Sequence, residues 1–268
     1  MEEQSSLKSS PLAHMVARLR GAEVSLEPYP HYYLENVFPE NYYRALLGHL
    51  PANAVYQNLF EVTDYKLDNF RHRDQRDLKK GWTEDLPDGI KDFWDSFSAW
   101  FLGPRLAEAV LDSFREPLRA RYGEKKSWPE VSVEPQLIRH RAGYFLGPHS
   151  DLYTKIAVLL LYLAPDESGA HLGTSLYRPK DSGFTCPNST HHPFEDFIRV
   201  KTAPYKPNSM FAFLRSDISF HGVEPLSEQD VASTRGRDLI QYVLHDKQAR
   251  EAQLRARHLA AIKEATTA

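Results

Sequence analysis

Residues 147–163 read Gly147-Pro148-His149-Ser150-Asp151-Leu152-Tyr153-Thr154-Lys155-Ile156-Ala157-Val158-Leu159-Leu160-Leu161-Tyr162-Leu163. A Gly-Pro turn delivers a His-x-Asp pair, and a continuous apolar run follows. The apolar stretch, Ile156 to Ala164, is far too short to span a bilayer and has the length and composition of a buried strand. Similar short runs, bounded by Pro, Gly and Asp, recur after Ser127 at 132–140, 144–149, 155–163, 174–178, 197–202, 208–215, 218–224 and 237–245. Eight short strands predict a jelly roll or comparable barrel.

The text before Ser127 has a different period. A short helix is expected around Leu12 to Leu19. Another opens at Pro39-Glu40, carries Tyr43, Leu46, Leu47 and Leu50 at helical spacing, and closes at Pro51. Two more are expected between Gly89 and Tyr122. One presents Ile90, Phe93, Trp94, Phe97 and Trp100, the other Leu106, Val110, Leu111, Phe114 and Leu118; such stripes need an apolar surface to cover. The segment after Asp246 reads as a C-terminal helix. The expected organisation is one unit over 1–268: a mainly helical N-terminal layer (1–127), a strand core (128–245) and a C-terminal helix (246–268).

The bulk numbers narrow the class of function. Of 268 residues, 41% are hydrophobic and 26% charged, with 33 Lys and Arg against 36 Asp and Glu, a net charge of −3. That composition is globular, and no overall positive charge argues for a nucleic-acid partner. No membrane partner is expected either. Cys186 is the only cysteine, so no intrachain disulfide can form. The opening Met-Glu-Glu-Gln-Ser-Ser lacks the basic start and apolar run of a signal peptide. A cytoplasmic location is therefore expected.

Two histidines and one carboxylate on one face of an octahedral ion leave positions open for substrates, an arrangement used by oxygen-activating ferrous iron. Residues two apart in a strand point to the same side, so His149 and Asp151 can reach one ion. His221, in Ile218-Ser219-Phe220-His221-Gly222-Val223, supplies a third ligand from a strand folded back alongside. The pair alone is a weak signal, because His72-Arg73-Asp74 is a second His-x-Asp. That copy lies among arginines, which disfavour a divalent ion, and is expected to be a solvated or anion-facing loop. The eight-strand pattern puts His149 and Asp151 at the end of the second strand, His221 on the seventh and Arg237 at the start of the eighth. A dicarboxylate that chelates iron at one end needs a cation at the other, and Arg237 offers a bidentate fork.

The run from Arg139 through His140, Tyr144 and Gly147 to His149-Ser150-Asp151 resembles the iron-binding stretch of the 2-oxoglutarate/Fe(II) dioxygenase superfamily, in its small-molecule and prolyl-hydroxylase-like members. Ser219-Phe220-His221-Gly222-Val223 followed by Arg237 resembles the distal half of that site. Leu172-Gly173-Thr174-Ser175-Leu176-Tyr177 resembles the strand between the two halves, and Tyr32 to Pro39 the first strand and helix, so the likeness spans roughly residues 28–245. It implies a double-stranded β-helix (a cupin-like jelly roll), Fe(II), O2 and oxidative decarboxylation of 2-oxoglutarate to succinate. It also implies a hydroxyl on the far carboxylate of 2-oxoglutarate from Tyr162, and a carboxylate or substrate contact for His140. Thr174 and Lys155 are weaker candidates. The gap from His221 to the arginine is longer than the family usually shows, which leaves Arg235 as a rival to Arg237. Arg237 is preferred because Leu239 and Tyr242 continue in strand-like text, whereas Arg235 precedes Gly236. Ala170-His171-Leu172-Gly173 stands where a double glycine is common, so an unusual turn is expected there. A carboxylate at Asp151 implies hydroxylation or desaturation, because related halogenases carry Gly or Ala at that place.

Within the 164–196 segment, His171, His191, His192 and Cys186 match no zinc-finger spacing, and a polar loop closing over the active site is expected instead. No Gly-x-Ser-x-Gly or P-loop is present. The substrate is expected to be a small molecule such as an amino acid or natural-product intermediate. The alternatives are a residue on a protein, or a non-catalytic cupin- or lectin-like jelly roll that binds metal or sugar.

Overall fold

The chain, described by a computed structural model over residues 10–63, 66–234 and 236–267, begins with a helical layer interrupted by three strands. In order these are α1 (Pro11–Arg20), β1 (His31–Glu35), α2 (Glu40–Gly48), β2 (Gln57–Asn58), α3 (Leu59–Val62), β3 (Arg73–Asp77), α4 (Asp88–Phe101), α5 (Pro104–Ser113) and α6 (Arg115–Tyr122). Eight strands follow: β4 (Val131–His140), β5 (Leu146–His149), β6 (Lys155–Tyr162), β7 (Thr174–Pro179), β8 (Phe197–Ala203), β9 (Ser209–Leu214), β10 (His221–Val223) and β11 (Arg237–Asp246). A short helix α7 (Glu228–Thr234) precedes β11, and α8 (Lys247–Thr267) ends the described chain. Among the described residues no helix is long and apolar enough to cross a membrane.

The pairing of the eight strands identifies the architecture. One antiparallel sheet contains β4-β11-β6-β9 and the other β5-β10-β7-β8. First pairs with eighth and second with seventh, so the chain winds as a folded-back ribbon through two facing sheets. The core is a double-stranded β-helix. The larger sheet is extended at one edge by β1 on β9 and at the other by β3 and β2 beyond β4.

Strand periodicity divides the apolar residues between two layers. On β6, Ala157, Leu159 and Leu161 face the helices with Met210, Ala212, Ile240 and Tyr242 of the neighbouring strands. Val158, Leu160 and Tyr162 face the opposite sheet with Phe211, Phe213, Leu239 and Val243. A strand buried on both faces must be apolar at every position, which accounts for the unbroken run at 156–163. The helical stripe Trp94, Phe97, Phe101, Leu106 and Val110 covers the outer face and is fully buried.

Three local expectations differ from the structure. The apolar stripe from Leu106 to Leu118 is two helices, α5 and α6, parted at Phe114. Pro117 lacks an N–H and its ring would clash with the carbonyl four residues back, so it fits only in the first turn of a new helix. The stretch after His72 is not a loop: Arg73–Asp77 forms β3, antiparallel on β4. It has no apolar residue and weak strand preference, and the exposed edge of β4 determines its conformation. The seventh strand is shorter than 218–224, with an irregular register between His221 and Val223.

Candidate metal centre and adjoining cavity

β5 ends at His149, which lies directly opposite His221 of β10 in the antiparallel register, with ring centroids 4.3 Å apart. The two strands approach closely because Gly222 has no side chain; a Cβ there would lie 2.4 Å from the Leu146 carbonyl oxygen. Each ring is fixed by its own backbone. His149 Nδ1 donates to the Gly147 carbonyl and His221 Nδ1 to the Ser219 carbonyl, both at 3.0 Å. A carbonyl only accepts, so each neutral ring carries its hydrogen on Nδ1 and presents a bare lone pair at Nε2.

Asp151 does not lie in the strand. It follows β5 in a turn held by Arg215, whose Nε donates to the Asp151 carbonyl at 2.9 Å. Its carboxylate is anchored on one side only. Oδ1 accepts from Lys155 Nζ at 2.5 Å, while Oδ2 is buried with no hydrogen-bond partner and lies 3.6 Å from His221 Nε2. Burial raises the Asp151 pKa, but Lys155, His221 and His149 together hold it well below the usual carboxylate range. Burial lowers both histidines, and for His149 the neighbouring His221 lowers it further.

Ligand atoms of His149, Asp151 and His221 lie within 4.8 Å of one another, and among the described residues this is the one such cluster. Two lone-pair nitrogens and an oxygen without a donor face each other, and none has a hydrogen to offer. Such a set is unsatisfied by itself and fits a divalent cation.

The same cavity is lined by a second constellation. Arg237 opens β11 and is 1% exposed. Its Nε donates to the Leu172 carbonyl at 2.6 Å, Nη1 to His140 Nδ1 at 2.9 Å and Nη2 to Thr174 Oγ1 at 3.0 Å. No described carboxylate pairs with it: the adjacent Asp238 is held by Arg139 through two bonds of 2.7 Å. Since His140 Nδ1 accepts, its Nε2 carries the hydrogen, and this buried donor has no partner. Burial, Arg237 and Arg73 all push the His140 pKa well down, and its ring stacks on Tyr144 at 3.7 Å. Tyr162 lies behind the cavity wall, donating to Thr174 Oγ1 at 2.9 Å and accepting from the Thr174 N–H at 3.2 Å. With two bonds accepted, Thr174 retains its own O–H for the cavity.

Of the residues singled out from sequence, the structure brings together His149, Asp151, His221, His140, Thr174 and Arg237, and sets Tyr162 one layer back. Arg235 lies outside the described residues. His171 is apart from the site, bonded to Asp230 at 2.7 Å. His191 sits beside His149, with centroids 4.8 Å apart, and His192 donates its backbone N–H to the Pro148 carbonyl at 2.9 Å. Ser150 and Arg215 bind the carbonyls of Cys186, Asn188 and Pro187, so the segment before β8 is fastened beside His149 and Asp151. From sequence, Arg71, Arg73 and Arg76 are candidates for meeting an anionic substrate, and of these Arg73 lines the cavity; sequence reasoning overlooked Gln75 and gave Tyr144 no role of its own. The aromatic next to Gly143 was a signal for Tyr144, but β3 offered none.

The buried neutral rings imply a definite acid response. Their pKa values are lowered in the fold, to about 4 for His191 and His245, whereas an unfolded histidine takes up its proton near ~6.5. The stability they contribute is complete above that pH and is lost as pH falls towards the folded values. Asp151, also depressed, adds a further loss below roughly pH 3.9. Metal-free protein should hold a nearly constant urea midpoint between about pH 7.5 and pH 9. Below about pH 6.5 stability should decline by up to ~1.4 kcal/mol per pH unit for each such ring. A midpoint unchanged down to pH 5 would contradict the assigned neutral rings.

No family model matches the sequence, and no curated protein matches it. Among solved structures, the chain is similar to an oxidoreductase of the 2OG-Fe(II) oxygenase family from Burkholderia pseudomallei, at 14% identity over 88% of this chain and 90% of that one, with a TM-score of 0.47. It is similar to a prolyl-4-hydroxylase from Pseudomonas putida at 13% identity, over 87% and 99% of the two chains, with a TM-score of 0.45. HygX from Streptomyces hygroscopicus, with nickel and 2-oxoglutarate bound, gives 13% identity, 81% and 83% coverage and a TM-score of 0.41. Of these neighbours, one carries the 2OG-Fe(II) oxygenase family name and another holds 2-oxoglutarate. At TM-scores below 0.5 the likeness adds no weight to the site, whose chemistry rests on the chain's own residues.

Proposed function

We propose that the chain is a 2-oxoglutarate-dependent Fe(II) oxygenase acting on a small molecule. One observation carries the reading: three hydrogen-free ligand atoms and a buried guanidinium with no anion among the described residues line the same cavity. His149, Asp151 and His221 would hold Fe(II), and Arg237 with the Thr174 hydroxyl would take the far carboxylate of 2-oxoglutarate. Bound Fe(II) supplies the activation of O2. The protein's share is to bind and orient. Lys155 holds one carboxylate oxygen of Asp151 so that the other faces the metal. Tyr162 braces Thr174, and Leu160, Leu239 and Val223 keep the cavity wall apolar. With Asp151 filling the third protein position, hydroxylation or desaturation is favoured over transfer of a halide. A cupin- or lectin-like binder would have no use for an unpaired buried cation beside its metal, and a zinc hydrolase would not need one either. We place the reaction in the cytoplasm, where reducing conditions keep iron ferrous.

The test is turnover of the co-substrate. Full-length protein, supplied aerobically with Fe(II), ascorbate and 2-oxoglutarate, should form succinate at a rate that falls to the protein-free level when Fe(II) is withheld. Succinate no faster than the protein-free control, with and without a panel of candidate acids, would overturn the proposal.

A further inference from the structure

Among the described residues, Arg237 is not the only cation in the cavity without an anionic partner. Arg73 of β3 lies opposite His140 of β4, and His140 lies opposite Arg237 of β11, so the three form one row across adjacent strands. Side chains in such a row share a face, and all three line the cavity. Neighbouring strands are ~4.8 Å apart, which sets the two arginines roughly 10 Å apart at the backbone. A carboxylate held by Arg237 therefore leaves Arg73 without a counter-charge. The acids nearest in sequence are committed elsewhere: Asp74 pairs with Arg141 at 3.0 Å, and Asp77 accepts from Gln136 at 2.8 Å.

The polar atoms around Arg73 are sheltered and incomplete. Arg73 Nη2 donates to Gln136 Oε1 at 3.2 Å, but its Nε is buried without a partner. Gln75 Oε1, two residues along the same face of β3, is also buried without a partner, as is the N–H of His140 Nε2. Unpaired buried groups of this kind cost stability unless water or a ligand completes them, and a ligand that matches their donor and acceptor pattern can replace that water. On the opposite side, His191 packs near Phe70 at 6.1 Å and near His149 at 4.8 Å, so the space above β3 adjoins the metal ligands.

We infer that Arg73 and Gln75 read the second substrate, and that this substrate is a small α-amino or α-hydroxy acid. The inference rests on the oxygenase reading, because it takes Arg237 as engaged by 2-oxoglutarate. Two unpaired donors, Arg73 Nε and His140 Nε2–H, suit a carboxylate. The acceptor beside them, Gln75 Oε1, suits an ammonium or hydroxyl next to that carboxylate. The acid end is seated on β3 and the remainder of the molecule extends towards the metal.

The test is calorimetric and needs no turnover. Full-length protein is loaded with Mn(II) in place of iron, then saturated with 2-oxoglutarate. The proteinogenic L-amino acids and their α-hydroxy counterparts are titrated in turn, each beside the analogue that lacks the amino or hydroxyl group. At least one should bind wild type, about 10-fold more tightly than that analogue. Arg73→Gln should weaken it by roughly 10- to 100-fold, with partial recovery in Arg73→Lys. Gln75→Leu should erase the preference over the analogue. Unchanged 2-oxoglutarate binding in each variant reports that the fold is intact. If wild type holds 2-oxoglutarate and binds no member of the panel, or Arg73→Gln binds as wild type does, the inference is overturned. If wild type fails to bind 2-oxoglutarate, the oxygenase reading fails first and the inference falls with it.

Discussion

Asp151→Ala is expected to lower the affinity for Fe(II) by more than about 100-fold, since the loss of an outer-shell partner alone costs roughly 10- to 100-fold. The effect should be large because Asp151 contributes the only negative charge among the three clustered ligand atoms. The remaining two ligands are neutral histidines, held in place by the Gly147 and Ser219 carbonyls, and their Nε2 atoms would be left facing a site without compensating charge. The same substitution strands Lys155, whose Nζ bonds to Asp151 in a partly sheltered position. Removing one partner of a buried ion pair costs about 3–5 kcal/mol, so metal-free Asp151→Ala should also unfold at lower urea than wild type. Asp151→Asn separates the two effects: it keeps the side-chain volume but loses the charge. Titration of Fe(II) under anaerobic conditions, together with urea unfolding of the metal-free forms, measures both. Wild-type metal affinity in Asp151→Ala would remove this residue from the centre.

Arg237→Gln is expected to weaken 2-oxoglutarate by about 100-fold or more while leaving the metal affinity unchanged, because two charge-assisted bonds to one carboxylate are lost together. Arg237 is buried, with its guanidinium oriented by the Leu172 carbonyl, His140 and Thr174. It is therefore already posed when the dicarboxylate arrives, and little ordering remains to be done on binding. Arg237→Lys should recover only part of the affinity, since an ammonium cannot reproduce the planar fork. Thermal unfolding gives a second readout. In wild type holding Mn(II), 2-oxoglutarate should raise the midpoint as its concentration passes the dissociation constant, and in Arg237→Gln that rise should be absent over the same range. An equal rise in the variant would place the carboxylate elsewhere, with Arg235 as the first residue to substitute next.

The strand core was legible in the sequence to within a few residues, because burial imposes patterns that survive translation into text. β6 is apolar at every position since it is covered on both faces, and β9 and β11 divide their apolar residues between the same two layers. The order of the strands then placed His149, His221 and Arg237; the registers set His149 against His221 in one sheet and Arg237 against His140 in the other, and all four line one cavity. What escaped had no pattern of its own. β3 reads Arg73-Asp74-Gln75-Arg76-Asp77 and is a strand only because β4 presents an open edge. Asp151 was expected to share a strand face with His149. A turn held by Arg215 carries it instead, a contact between positions 64 apart that local periodicity cannot report. Tyr162 carries a hydroxyl in the expected region, yet only its bond to Thr174 reveals that Thr174 faces the cavity and Tyr162 stands behind. The break at Phe114 was readable from Pro117, which the apolar stripe outweighed.

The central claim is that His149, Asp151 and His221 hold a ferrous ion on which 2-oxoglutarate chelates. The most direct test adds Fe(II) and then 2-oxoglutarate to anaerobic metal-free protein, and records the visible spectrum beside that of Asp151→Ala. A weak charge-transfer band that requires both additions, and is missing from the variant, is the predicted result. A wild-type spectrum without the band, with Fe(II) failing to bind at all, would contradict the account and leave a jelly roll without this chemistry.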